Sequence, residues 1–372
     1  MTRSPSAEAD LRDHVRGFLS EEVSTGGFLP MVDGWVQGHS PGFSRRLGEH
    51  GWLGMTWPKR YGGHERSAHE RFVVIEEMLA AGAPVAAHWV ADRQTGPLLL
   101  QFGTEEQCEF FLPRIAAGEL FISAGLSEPD SGSDLASVRT RATKVDRGWE
   151  VTGRKVWTSH AHRNHWLLAL IRTAPRTENR HAGLGQVLMD LSSPGVDVRP
   201  IRSMGGDAHF AEVTLDQVFV PDSRVVGDPG AGWQQVTSEL AYERSGPERY
   251  LSSYPLLAAL IREVALDDRA IADIGALAAR LWASRAMSSR VQGLLNDGLS
   301  PDIEAALVKD VGSRLEQDIV ELARRVIADM PNGPSPTLRQ MLRNAQMAAP
   351  TFSLRGGTVE ILRDIIAKDL IR

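Results

Sequence analysis

Glu243 stands in the run Leu240-Ala241-Tyr242-Glu243-Arg244, with Arg249 shortly after it. A carboxylate among arginines has two readings: an ion pair on a solvated helix face, or a general base. The second needs a dry pocket, where burial raises the carboxyl pKa and strengthens the carboxylate as a proton acceptor. Trp157 and Ser159 lie two apart in a strand-like run, so an aromatic face and a hydroxyl would point the same way. Trp157 as a core aromatic is the other reading. The segment Leu126-Ser127-Glu128-Pro129-Asp130-Ser131-Gly132-Ser133-Asp134 is either a turn that holds a phosphate-bearing group or merely an Asx turn. His160, His162 and His165 crowd one short segment, but zinc needs regularly spaced ligands and a fourth partner, and Cys108 is remote. No metal is expected; the three read as strand-end residues, with His160 lining a pocket beside Ser159. Gly227-Asp228-Pro229-Gly230-Ala231-Gly232-Trp233 invites a dinucleotide reading, which requires an alternating βαβ unit. Here one β-region precedes an all-helical segment. The run reads instead as the turn into the helix that carries Glu243.

The elements that must position these residues follow from periodicity. Leu11, Val15, Phe18, Leu19 and Val23 recur at helical spacing after Ser6, which reads as an N-cap. Helical patterning continues through Phe72–Ala81 and Glu105–Ala117. Near Phe121 the period changes: Trp149–Gly153 alternates, Trp166–Ile171 is a short apolar run, and Val213, Leu215, Val218 and Val220 sit in β-rich sequence closed by Pro221. After Gly232 the helical period returns. Ile271, Ile274, Leu277, Ala278 and Leu281 form one stripe; Ile319, Leu322, Ala323, Val326 and Ile327 form another. Ser300-Pro301 reads as an N-cap followed by proline at the first helical position. The order is helices, then a β-domain, then a helical bundle, an α+β chain.

Composition narrows the function classes. At 372 residues the chain calls for two or three domains rather than one core. A net charge of −6 argues against a nucleic-acid surface. The single Cys108 excludes an intrachain disulfide framework. No apolar stretch reaches the ~20 residues of a membrane span, and the N-terminus lacks a signal-peptide pattern. A cytoplasmic enzyme without membrane contact is expected.

Blocks along most of the chain carry a family resemblance. Trp57-Pro58 with Tyr61-Gly62-Gly63 comes first, then Val74-Ile75-Glu76-Glu77 and Gly82-Ala83-Pro84, then Gly103, Gln107, Leu112-Pro113 and Gly118. Leu126–Asp134 and Gly153-Arg154-Lys155-Val156-Trp157-Thr158-Ser159 follow, and Ser353–Arg363 closes the series. In this order the blocks resemble the acyl-CoA dehydrogenases. The resemblance implies an N-terminal α-helical domain (1–121), a middle β-barrel or β-sandwich domain (122–228) and a C-terminal four-helix-bundle-type domain (229–372). It implies an FAD enzyme that introduces an α,β double bond into an acyl-CoA thioester and passes electrons to an electron-transferring flavoprotein.

An isoalloxazine needs a donor near N5, backbone groups along its pyrimidine edge and a flat apolar wall. By resemblance, Leu126 and Ser127 supply one edge, Trp157 covers a ring face, and Ser159 offers its hydroxyl near N5. Ser133 would hold a phosphate of the cofactor or a pantetheine group of the substrate. Thr358 and Glu360 would reach the dinucleotide, and Arg244 would contact substrate.

Two departures from the family pattern matter. The family's C-terminal catalytic glutamate falls on Gly356, which cannot take a proton. Some relatives carry the base instead on the helix after the β-domain, where Glu243 stands, so Glu243 is the candidate base. Gly356 would then leave room for a bulky, branched or cyclic acyl group. The second departure is that nothing between Leu251 and Pro350 matches the family's usual FAD-adenine motifs, which act across a subunit interface. The chain is therefore expected to be oligomeric, homomeric or paired with a paralogous subunit. A non-catalytic or half-site subunit of a heteromeric dehydrogenase, and a flavin-dependent monooxygenase on the same fold, are the alternatives.

Overall fold

The computed structural model describes residues 5–297, 299 and 301–371, without the side chains of 5, 6, 239–243 and 296. It divides into two compact units, one of residues 1–38, 66–85 and 241–372, the other of residues 39–65 and 86–240.

The second unit is built on one sheet. Its strands are Ile122–Gly125 (β1), Arg141–Val145 (β2), Gly148–Ser159 (β3), Trp166–Arg172 (β4), Leu184–Asp190 (β5), Val196–Ile201 (β6), Phe210–Pro221 (β7) and Val225–Val226 (β8). The order is β6-β7-β3-β2-β4-β5-β8, with β1 parallel to β4. The apolar run Trp166–Ile171 is explained by burial of β4 on both faces. Leu167, Ala169 and Ile171 pack with Val151, Val187, Met189 and Val213 inside the sheet. Leu168 points the other way, into a core of Leu99, Phe111, Leu112, Ile115 and Leu188 beneath helix Glu105–Ala116. That helix starts in a capping box, Thr104 with Gln107. Gln107 also donates to the carbonyls of Ser223 and Val225 at 2.9 and 2.8 Å. The predicted turn before Glu243 is present: β8 ends at Val226, and helix Gly232–Ser245 follows. The strands pair largely antiparallel, which excludes the dinucleotide-binding βαβ reading.

The first unit is helical. Helices Tyr254–Glu263, Asp302–Ala328 and Pro336–Phe352 bury Leu256, Leu260, Val320, Ala323, Ile327, Leu338, Met341 and Phe352 in one core. The predicted stripe Ile319–Ile327 lies along that core, its spacing placing one face inward. The other predicted stripe, on helix Asp268–Asn296, is covered only in part: Leu277 is buried, whereas Ile271 and the neighbouring Trp282 are 55% and 71% exposed. Two helix starts differ from expectation by one or two residues, the scale on which ends vary. Ser6 lies inside helix Pro5–Ser24 rather than at its cap. Pro301 caps Asp302–Ala328 instead of opening it, and Ser300 is outside the described residues. Among the described residues no helix is long and apolar enough to cross a membrane.

Candidate active site

In the sheet unit, the residues predicted to meet a flavin gather around the end of β3. The anchor is a buried ion pair. Lys155 is fully buried, and its Nζ donates to Glu128 Oε1 at 2.8 Å and to the Leu126 carbonyl at 3.3 Å. The same carboxylate accepts the backbone N–H groups of Thr140 at 2.9 Å and Arg139 at 2.6 Å. Burial opposes the charge on Glu128, but the Lys155 ammonium and these donors hold its carboxyl below the usual range. Burial pushes Lys155 down to about 8, with Glu128 opposing that shift, so both stay charged at neutral pH. The Val156 N–H donates to the Ser127 carbonyl at 3.0 Å. Segment Leu126–Glu128 is thereby laced to β3 just before Trp157. Both members of the ion pair lie inside the sequence blocks above, yet nothing local announces their pairing across 27 residues.

Immediately after Lys155 the strand is irregular. Pairing with β7 skips between Lys155 and Thr158, and Trp157 adopts φ 58°, the left-handed region. The expected simple alternation of Trp157 and Ser159 along a regular strand is therefore corrected: a bulge lies between Lys155 and Thr158. A bulky residue held at positive φ costs about 1–3 kcal/mol and marks functional sites. The indole it presents is 57% exposed, touching Phe210 edge-on at 5.7 Å. Trp157 is thus no core aromatic. Ser159 is half-buried, and its carbonyl accepts from Ser123 Oγ at 2.7 Å. Ser123 Oγ in turn accepts from Asn164, whose Oδ1 meets His39 Nε2 at 2.9 Å.

This arrangement fits a flavin: a bare aromatic face, a nearby hydroxyl and a pinned segment carrying Leu126 and Ser127. Replacing Trp157 by Ala is expected to weaken FAD retention by about 10- to 100-fold in fluorescence titration, through lost burial and ring contact. Unchanged retention would assign Trp157 no part in holding the ring.

Ser133 is exposed, on the loop where Ser131 Oγ donates to the Asp134 carbonyl at 2.6 Å and Arg180 pairs with Asp134. His160 is buried at the strand end, also at positive φ, and His209 pairs with Asp207 at 2.5 Å. Among the described residues no group of three or more His, Cys, Asp or Glu is arranged to hold a metal.

In the helical unit, Gly356 has φ 68° and Gly357 φ 91°. A Cβ on Gly356 would meet the Arg249 guanidinium, 2.7 Å from Nη2 and 2.9 Å from Cζ. This corrects the expectation of vacant room at Gly356: the space belongs to Arg249. Arg249 is buried and lies over the Trp35 ring at 5.0 Å, while Arg355 lies over the same ring at 4.4 Å. Arg355 is tied to Asp33 at 2.6 Å and to Ser252 Oγ at 3.1 Å. Glu316, raised to about 7 by burial, accepts the Ser252 N–H at 2.7 Å. Arg244 is also buried, and its Nε donates to the Gly356 carbonyl at 3.3 Å. Glu243 lies on helix Gly232–Ser245, its side chain outside the described residues. Its neighbours Arg244 and Arg249 are buried. Thr358 caps helix Val359–Leu370 by accepting from the Ile361 N–H at 3.5 Å, and Glu360 is exposed in its first turn.

Known proteins place this geometry. Family profiles of the acyl-CoA dehydrogenase N-terminal, middle and C-terminal domains match residues 5–119, 123–218 and 262–371. Acyl-CoA dehydrogenase IpdE1 of Mycobacterium tuberculosis is 33% identical over 386 residues, covering 97% of each chain. Acyl-CoA dehydrogenase FadE34 of the same organism is 33% identical over 334 residues, which are 87% of this chain and 45% of that protein. The solved structure of the Tcur3481-Tcur3483 steroid ACAD superposes with TM-score 0.83 at 26% identity, covering 100% of this chain and 99% of that one. The chain belongs to the acyl-CoA dehydrogenases, a family of FAD-dependent oxidoreductases.

Proposed function

We propose that this chain desaturates an acyl-CoA thioester between Cα and Cβ, with Glu243 as the base. The observation that supports the assignment is the Gly356 turn: at φ 68° and with the Arg249 guanidinium within 3.0 Å of where a Cβ would sit, it disfavours a side chain there. The remaining family position for a base is the helix of Glu243. The α-proton of a thioester is weakly acidic, so its acceptor must be a carboxylate freed from water. Bound FAD supplies the acceptor for the β-hydride. Trp157 and Ser127 would orient the ring, Ser159 would donate toward N5, and Ser133, Thr358 and Glu360 would hold the dinucleotide. Ser133 and Arg244 would also bind substrate. Electrons would leave to an electron-transferring flavoprotein in the cytoplasm.

A bulky or branched acyl group remains our reading, resting now on the steroid ACAD among the solved relatives rather than on space at Gly356. We read the chain as one subunit of an oligomer, homomeric or with a paralogous partner. Support comes from the uncovered Ile271 and Trp282, the absent FAD-adenine motifs, and the two names, Tcur3481 and Tcur3483, that together designate that relative. The test is anaerobic titration of the flavin-loaded protein, alone and co-expressed with a paralogue, with linear, branched and polycyclic acyl-CoAs. Bleaching by the bulky members is expected; a stable flavin that none of them reduces would overturn the dehydrogenase reading.

A further inference from the structure

Glu316 is a carboxylate buried in the helical unit, 2% exposed on helix Asp302–Ala328. Its Oε1 accepts the Ser252 N–H at 2.7 Å. The charged groups around it come from several elements. Asp33, just before Trp35, is buried as well. Arg355 comes from the turn that continues into Gly356, and it pairs with Asp33 Oδ2 at 2.6 Å. Asp33 Oδ1 is buried with no hydrogen-bond partner among the described residues. Glu248 and Arg249 are buried in the 247–249 turn, both with partners of their own. Lys309, two turns earlier on the same helix, is tied to Ser313 Oγ at 2.6 Å and to the Phe352 carbonyl. Helices Tyr254–Glu263 and Pro336–Phe352 meet the helix of Glu316 through the apolar core. Helices Asp268–Asn296 and Val359–Leu370 meet it through the outer pairs Arg280–Asp318, Arg325–Asp273 and Arg363–Asp310.

Two buried carboxylates thus depend on one guanidinium. Ser252 joins them: its N–H serves Glu316, and its Oγ accepts from Arg355 Nη2 at 3.1 Å and from Trp35 Nε1 at 3.0 Å. A second full charge beside Asp33 is poorly compensated, so Glu316 keeps its proton to higher pH than an exposed carboxyl. Burial raises it to about 7, with Arg355 and the Ser252 bonds opposing the shift and Asp33 adding to it. Arg355 also pins the 353–357 turn, lying over Trp35 at 4.4 Å and Phe352 at 4.9 Å. Through its Gly356 carbonyl the same turn receives Arg244 Nε, at 3.3 Å, from the end of helix Gly232–Ser245.

We propose that Glu316, Asp33 and Arg355 form a protonation switch on the Gly356 turn. With Glu316 neutral, Arg355 belongs to Asp33 and the turn is held. When Glu316 ionises, its proton passes to water, both carboxylates compete for Arg355 and Ser252, and the turn loosens. The switch belongs to the helical unit and does not depend on which reaction the chain performs. A carboxyl raised to about 7 when enclosed, and near 4.5 when exposed, stabilises the closed turn fully below about 4.5. That contribution is lost as pH rises to about 7.

The test is amide hydrogen exchange of the full FAD-loaded chain, with its partner subunit if it has one. Exchange is followed by mass spectrometry across neutral pH and corrected for the intrinsic rate. The reporters are the amides of Ser252, Arg355 and Val359, the last two bonded to the Thr351 and Ser353 carbonyls. Their opening should increase about tenfold from about pH 6 to about pH 8 and then level off. Glu316→Gln, close in shape to the neutral acid, should hold the opening constant over this range. Asp33→Asn should move the rise to lower pH, and asparagine tolerates the left-handed φ of 57° at that position. A parent whose corrected exchange is flat across neutral pH would overturn the switch without any variant. So would a rise that persists in Glu316→Gln, or one that Asp33→Asn leaves in place.

Discussion

Glu243→Gln is expected to retain FAD and bind acyl-CoA while losing at least ~10²-fold in the rate of flavin reduction, the scale of a general base. Glutamine is close to isosteric with glutamate and cannot accept the α-proton at working pH. Stopped-flow reduction under anaerobic conditions separates this step from binding and from reoxidation. A variant reduced as fast as the parent would move the base away from Glu243. Restoring a carboxylate at the usual family position should not rescue it. In Glu243→Gln with Gly356→Glu, the new residue must sit at φ 68°, and its Cβ must displace a guanidinium 2.7 Å away. Left-handed backbone strain on a side-chain-bearing residue is about 1–3 kcal/mol, and the guanidinium that must move is buried over Trp35. Recovery to near parental rates would show that the turn relaxes and that position 356 still faces the α-carbon.

Glu128→Ala should be the most destabilising single substitution at the flavin end of the sheet. It strands a fully buried Lys155 ammonium and two backbone N–H groups. Removing one partner of a buried pair costs about 3–5 kcal/mol. The urea midpoint should fall accordingly, and Lys155→Met added to Glu128→Met should recover much of the loss, because an apolar pair leaves no stranded charge. Failure of that recovery would mean the two N–H groups, rather than the ion pair, dominate. The pH dependence has a definite sign. The folded pKa of Glu128 lies below its unfolded value near 4.5. Its contribution is therefore complete above about 4.5 and is lost as pH falls through the lower folded value. The parent should weaken over that acid window more than the double methionine variant. Loss of the pair also frees segment Leu126–Ser127, so flavin release should accompany the change in stability.

Much of this molecule is legible in its sequence because local physics writes it there. The apolar run Trp166–Ile171 needs burial on both faces, and it became the strand β4 with neighbours on each side. The stripe from Ile319 to Ile327 needs a core, and it found one. Gly227–Trp233 could not open a nucleotide-binding unit without parallel strands around it. The family blocks also carried the cofactor class, since they retain their order along the chain. The period of the stripe on Asp268–Asn296 predicts the helix that forms, but a period cannot say that Ile271 stays uncovered within one chain.

What residue order alone determined was the succession of helices, sheet and helices, the family, and the absence of a carboxylate at position 356. Those properties depend on spacing and side-chain type, which are one-dimensional. Tertiary structure alone decided what takes the place of that carboxylate. Periodicity assigns a residue to a face but cannot say which distant side chain packs against it. Arg249, far from Gly356 in sequence, fills the space that a missing side chain had seemed to open. The same holds for Glu128 and Lys155, whose charges meet only because β3 folds back beside the loop. It holds again for Trp157, whose left-handed backbone comes from a pairing irregularity between β3 and β7. Hydrogen-bond register and burial are properties of two segments together, so neither segment alone encodes them.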